Sequence, residues 1–180
     1  MSSSSPPIEL PESQAVGSPS ISRDVSTIRF SQITFILLCL GHFAIDISSS
    51  ALSGLQPVLR DRMGLSLTEA GVLGGVFVFS SSLMQPLYGW LSDRFTTRHF
   101  TVLSPVFASA SVALFRYAPN FHTLLALVFL AGIGIAAFHP QGTAMSIRGA
   151  SSNRGRLMAI FVSSGTLGFA VGPSFFAALV

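Results

Sequence analysis

Residues 31–55 read SQITFILLCLGHFAIDISSSALSGL, an apolar stretch of bilayer-spanning length with His42 and Asp46 set one helical turn apart inside it. A helix crossing a bilayer needs about 20 mostly apolar residues. A carboxylate at its centre costs on the order of 2.5–3.5 kcal/mol on insertion-based scales. The nine Leu, Ile and Phe residues between 31 and 50, at about 0.3–0.6 kcal/mol each, offset one such carboxylate and little more. Neighbouring helices are therefore expected to help this segment into the membrane. An ionisable pair retained at that cost marks a transport pathway more readily than simple packing.

At about 100° per residue, His42, Asp46, Ser49, Ser53 and Gln56 fall on one face of this helix. Such a polar stripe must meet protein or water, because unsatisfied polar groups in hydrocarbon cost several kcal/mol each. Two readings stay open: a face that handles protons and substrate, with His42 and Asp46 as the proton-coupling pair, or two side chains that satisfy each other at a helix contact. The single cysteine, Cys39, lies in the same segment and reads as a small core hydrophobe. One cysteine excludes a disulfide framework or a cysteine-rich metal site.

The same character recurs outward along the chain, in spans predicted at about 31–55, 69–91, 100–118, 122–146 and 157–180 with short polar turns between them. Hydrophobic residues make up 49% and charged residues only 9% of the sequence, far from a soluble domain. The mean hydropathy is +0.64. The expectation is an all-α, multi-pass membrane protein, with residues 30–180 forming a five-helix bundle embedded in a lipid bilayer. All ten basic residues are arginines scattered between the spans, so no nucleic-acid partner is expected. Residues 1–29, rich in serine and proline, are predicted to be a disordered tail. Arg23, Arg29, Arg94, Arg98, Arg148, Arg154 and Arg156 fall on the N-terminal side, against Arg60, Arg62 and Arg116 opposite, which predicts a cytoplasmic N-terminus in the cell membrane. The first apolar run is too long for a signal-peptide core, so it is expected to be a retained helix.

Small residues punctuate the remaining spans. Gly71 and Gly75 in the second, and Gly165, Gly168 and Gly172 in the fifth, have the spacing that lets membrane helices approach closely. The second span also carries Ser81, Gln85, Tyr88 and Ser92 on one face. Pro105 and Pro173 are expected kinks. The fourth runs AGIGIAAFHPQG from Ala131 to Gly142. It has no preceding strand and no third glycine in the place a dinucleotide fingerprint requires, so it reads as a packing face leading to His139 and Pro140.

The turn after the second span, Gly89-Trp90-Leu91-Ser92-Asp93-Arg94-Phe95 followed by Arg98, resembles the loop signature of the major facilitator superfamily of twelve-helix secondary transporters. Further matches are His42-Phe43 with Asp46, Gln85-Pro86-Leu87-Tyr88-Gly89, Ala137-Phe138-His139-Pro140 with Gly142, and Gly165, Gly168 and Gly172-Pro173. Together these resemble the fosmidomycin-resistance type of efflux permease over about residues 35–180. The resemblance implies an efflux antiporter of drugs or other small molecules. Gly89, Asp93, Arg94 and Arg98 would form a conformational latch at the cytoplasmic face, and the Gly172-Pro173 helix would pack against the other half. Ser49, Ser53, Gln56, Gln85 and His139 are the substrate-cavity candidates. The sequence departs from the superfamily at Val128, where an arginine is frequent, so coupling through that arginine does not carry over. The sequence ends at Val180 within an apolar stretch, which reads as about five of twelve spans with the C-terminal half missing.

These features predict a secondary transporter that exchanges a small molecule for protons by alternating access. The alternative is a non-transporting truncated membrane protein, such as a sensor, an assembly factor or a remnant. A third reading is an intramembrane metal enzyme: the Asp46 carboxylate with His42 and His139, two histidines on separate helices, could bind an ion, but the sequence holds no water-activating motif of two histidines with an intervening glutamate. Neither enzymatic activity, a metal nor a cofactor is expected.

Overall fold

The computed structural model describes residues 31–95, 98–150 and 152–179. The predicted tail, residues 1–29, lies outside the described residues. Ser31 opens the first helix by accepting the Thr34 N–H on its hydroxyl, and α1 runs Gln32–Ser49. After an irregular step at Ser50 the helix resumes as α2, Ala51–Met63, and the two make one span, Gln32–Met63. The span continues past 55 to Met63, so Gln56 sits within the helix. Its stop is Gly64, whose φ of 63° is the left-handed conformation that suits a residue without a Cβ.

Ser66 and Glu69 form a reciprocal capping box that starts α3, Leu67–Val78. A π-helical turn over Phe79–Leu83 then leads into α4, Gln85–Arg94. Pro86 has no N–H to return to the preceding turn, and the ladder gives way just before it. The third span joins α5, His99–Ala113, to a 3₁₀ turn over Leu114–Tyr117. Asn120 caps α6, Phe121–Ser146, by accepting from Thr123, and α7 runs Arg154–Ala177. The described residues thus form five helical spans and no strand, the all-α bundle that the apolar periodicity predicts.

The core centres on α6, which packs against α1, α3, the π turn, α4 and α5, while α1 lies along α7. Leu124, Val128 and Ala131 of α6 are fully buried, together with Ile45, Leu73, Phe115, Phe138 and Phe161. Val128, at the position where an arginine was absent from the sequence pattern, is therefore a core residue. Ile33, Leu37, Val102, Val106 and Leu167 point outward, as residues meeting lipid should. On a water-soluble monomer so much exposed apolar surface would be a liability.

The glycines distribute unevenly. A Cβ added at Gly168 would strike the Phe43 backbone carbonyl, and one at Gly172 would strike Ser50, so the fifth-span glycines form a seam against α1. Among the described residues it is α1 that fills this stripe. At Gly71 and Gly75 the expected close contact is not made among the described residues, where nothing lies within 4 Å of a Cβ built at either. Close approach is also found at Gly54 against the Pro173 carbonyl and, in the fourth-span packing face, at Gly132 against Ser80 and Gly134 against Ala108.

Candidate functional site

His42 and Asp46 lie on one face of α1 because they are four residues apart, and His42 Nε2 stands 3.4 Å from Asp46 Oδ2. The third member comes from α6: His139 Nε2 is 3.2 Å from the other carboxylate oxygen, Asp46 Oδ1. One carboxylate is thereby held between two imidazoles on two helices. His42 is buried, whereas the Asp46 and His139 side chains keep 15% and 22% of their surface.

Backbone carbonyls set the tautomer of both rings. His42 Nδ1 donates to the Phe161 carbonyl on α7 at 2.8 Å, and His139 Nδ1 donates to the Ile135 carbonyl at 2.9 Å. A carbonyl oxygen can only accept, so each Nδ1 carries a hydrogen and each neutral ring turns a bare Nε2 lone pair toward Asp46. A lone pair facing an ionised carboxylate oxygen repels it. Each contact closes favourably only when a cation, in the simplest case a proton, lies between the two atoms. Aromatic stacking holds the geometry: Phe161 stacks on His42 with ring centroids 4.2 Å apart, and Phe138 lies at 5.8 Å.

The same corner explains Gly165, whose added Cβ would land on the His42 ring and the Asp46 carboxylate, closer than the 3.0 Å that real Cβ contacts respect. Sequence reasoning had placed Gly165 in a packing motif, and the structure makes it the wall of the site. The Phe161 and Ile135 carbonyls were not legible as site groups. Main-chain acceptors leave no residue-type signature.

Of the cavity candidates, His139 joins the pair. Gln56 donates to the Ala70 carbonyl at 2.9 Å and ties the first span to the second, and Gln85 donates back to the Ser81 carbonyl of its own span. Ser53 is exposed and donates to the Ser50 carbonyl, while Ser49 is half-buried. Among the described residues no hydrogen bond joins Ser49, Ser53, Gln56 or Gln85 to the triad.

At the far end of α4, Asp93 and Arg98 line a cleft of about 420 Å³ with Ser92, Gln141 and Arg148. Asp93 makes no ion pair among the described residues, and Arg94 lies over the Trp90 ring at 5.1 Å instead of reaching Asp93. A Cβ at Gly89 would meet only Pro140, at an ordinary 3.7 Å. Gln141 organises this end: its Oε1 accepts both the Thr101 N–H at 2.9 Å and the Thr101 hydroxyl at 2.7 Å in the first turn of α5.

A family model described as Major Facilitator Superfamily matches residues 38–180. The relatives include an uncharacterized MFS-type transporter, YfnC, of Bacillus subtilis, which is 29% identical over 77% of this chain and 34% of its own length. The fosmidomycin resistance protein of Escherichia coli is 24% identical over 79% of this chain and 35% of its own length. A probable L-galactonate transporter of Escherichia coli is 30% identical over 89% of this chain and 36% of its own length. The chain thus spans about a third of the length of these curated relatives. No solved structure matches it at a significant level.

Proposed function

The chain belongs to the major facilitator superfamily, and from that premise we propose that it contributes five spans to a secondary transporter that exports a small molecule in exchange for protons. The observation that carries this reading is the Asp46 carboxylate held between His42 on its own helix and His139 on α6. With no proton in either gap, both Nε2 lone pairs oppose the carboxylate. A proton between Asp46 and His139 closes the contact that joins α1 to α6 and draws the two helices together, while one between His42 and Asp46 closes a contact within α1. A change in proton number therefore changes the force between two helices, which is the coupling an exchanger requires.

In this reading two helical bundles rock about a site near the midplane and expose it alternately to each side. His42, Asp46 and His139 handle the protons, and Ser49 extends the polar face toward the substrate. Gly89, Asp93, Arg94 and Arg98 act at the cytoplasmic end, with Asp93 waiting for a partner that one conformation supplies. The N-terminus lies in the cytoplasm, as the arginine distribution favours. The described arginines lie at or beyond the span ends, so among the described residues no guanidinium meets an anionic cargo at the midplane. The names of the relatives point to different cargoes, which supports a small molecule as the substrate class.

The test is proton-gradient-driven efflux by the complete transporter in vesicles. Asp46→Asn, which keeps the shape and removes the charge, is expected to abolish the response to an imposed pH gradient. Unchanged pH-driven efflux in that variant would overturn the proposal.

A further inference from the structure

We propose that His42, Asp46 and His139 form a three-donor site for a divalent transition-metal ion of the Zn²⁺ class, each histidine binding through Nε2 and Asp46 through its carboxylate. The three donor atoms all lie within 4.8 Å of one another. Zinc bonds nitrogen and oxygen at about 2.0–2.2 Å, so neighbouring ligands in a tetrahedral shell stand roughly 3.3–3.5 Å apart. The His42–Asp46 and His139–Asp46 separations are 3.4 and 3.2 Å. The two distances run to different carboxylate oxygens, Oδ2 and Oδ1, so whichever oxygen binds the ion already sets one edge of a tetrahedral shell at the required length, with the remaining donor within 4.8 Å.

The second layer has the form of a metal centre as well. A ligating histidine donates its other ring N–H to a carbonyl or carboxylate, which fixes the tautomer and presents the remaining lone pair to the ion. Both rings do this, through the Phe161 and Ile135 carbonyls. Three lone-pair donors converge, and a cation between them converts mutual repulsion into attraction.

Donor type selects the ion. Two imidazoles and one carboxylate suit Zn²⁺, Co²⁺ or Ni²⁺, whereas Mg²⁺ and Ca²⁺ favour all-oxygen shells with more ligands. Three protein ligands leave a fourth position open. The partial exposure of Asp46 and His139 gives an ion access from that side. Gly165 keeps the corner free of side-chain atoms. An ion held there would pin α1 to α6. The inference concerns only what these atoms bind, and it would hold in a protein that moved no proton.

The test is direct binding to the full chain, purified in detergent and freed of metal, with zinc chloride titrated against a chromophoric chelator at one fixed neutral pH. One Zn²⁺ per chain is expected, weakened tenfold or more by His139→Ala and by Asp46→Asn, and restored in His139→Cys because a thiolate is itself a zinc ligand. Replacing His99 and His122 together by alanine should leave the stoichiometry unchanged. Cobalt chloride added to the wild-type chain should give the visible absorption of four-coordinate Co²⁺, a readout independent of how the variants fold. No stoichiometric zinc in the wild type, or full binding in a combined His42→Ala, Asp46→Asn, His139→Ala chain, would overturn the site. Transport plays no part in these readouts, so their failure leaves the exchanger reading standing, and the reverse also holds.

Discussion

Gly168→Ala and Gly71→Ala are the same substitution at two glycines of equivalent spacing, and the structure predicts opposite signs for them. A methyl at 168 meets the Phe43 carbonyl oxygen, with the carbonyl carbon at 3.0 Å and the Phe43 Cα at 3.1 Å, all backbone atoms that cannot rotate aside. To clear it, α7 must stand off from α1 by roughly 0.5–1 Å, a gap that forfeits a quarter to a half of each dispersion contact along the seam. Overpacking of this kind costs about 1–3 kcal/mol. Alanine returns about 1 kcal/mol of helix propensity over glycine, leaving a net loss of up to about 2 kcal/mol. At Gly71 nothing lies within 4 Å, so only the propensity gain operates, and this chain should be stabilised by up to about 1 kcal/mol. Cys39, the single cysteine and half-buried in α1, provides the assay: a thiol-reactive dye reports the opening of α1 during thermal unfolding in detergent. Gly168→Ala should melt below wild type and Gly71→Ala at or above it. A Gly168→Ala chain as stable as wild type, or a Gly71→Ala chain less stable than Gly168→Ala, would refute the seam.

Other outcomes follow from particular contacts. Gly132→Ala should destabilise by about 1–3 kcal/mol because its methyl falls on Ser80, and adding Ser80→Gly should recover part of that loss, a coupling that a double-mutant thermal-unfolding cycle would read. Gln141→Leu should cost about 1–3 kcal/mol by stripping the Thr101 N–H and hydroxyl of their acceptor at the start of α5, measured by the same unfolding assay. Arg62→Met should cost roughly 0.5–1.5 kcal/mol, since its exposed guanidinium donates to the carbonyls of Phe115, Arg116 and Ala118 where the third span ends. Gly165→Ala should disturb Zn²⁺ binding more than Gly155→Ala, because only the former places a methyl on His42 and Asp46.

Much of the fold was legible because bilayer crossing imposes a length and a composition on each segment, and both are local properties of the chain. The superfamily resemblance was likewise carried by contiguous residues, such as Gly89 to Arg94. Helix ends were less legible. The first span runs to Met63 because Gly64 ends it, and the second contains a π turn that hydropathy does not register. In the site, the His42–Asp46 pair was visible because four-residue spacing on a helix is enough to bring two side chains together.

The sequence alone determined an all-α membrane bundle, its approximate spans, and one ionisable pair on the first of them, since each follows from periodicity within a single helix. Only the tertiary structure decided which helix faces that pair. His139 reaches Asp46, and the Phe161 carbonyl reaches His42, because α6 and α7 both pack against α1. It also decided which glycines are contacts: Gly168 is filled by α1 and Gly71 is open, although their motifs look alike. Periodicity fixes the direction in which a residue points along its own helix, while the neighbour it meets depends on how all the helices pack together.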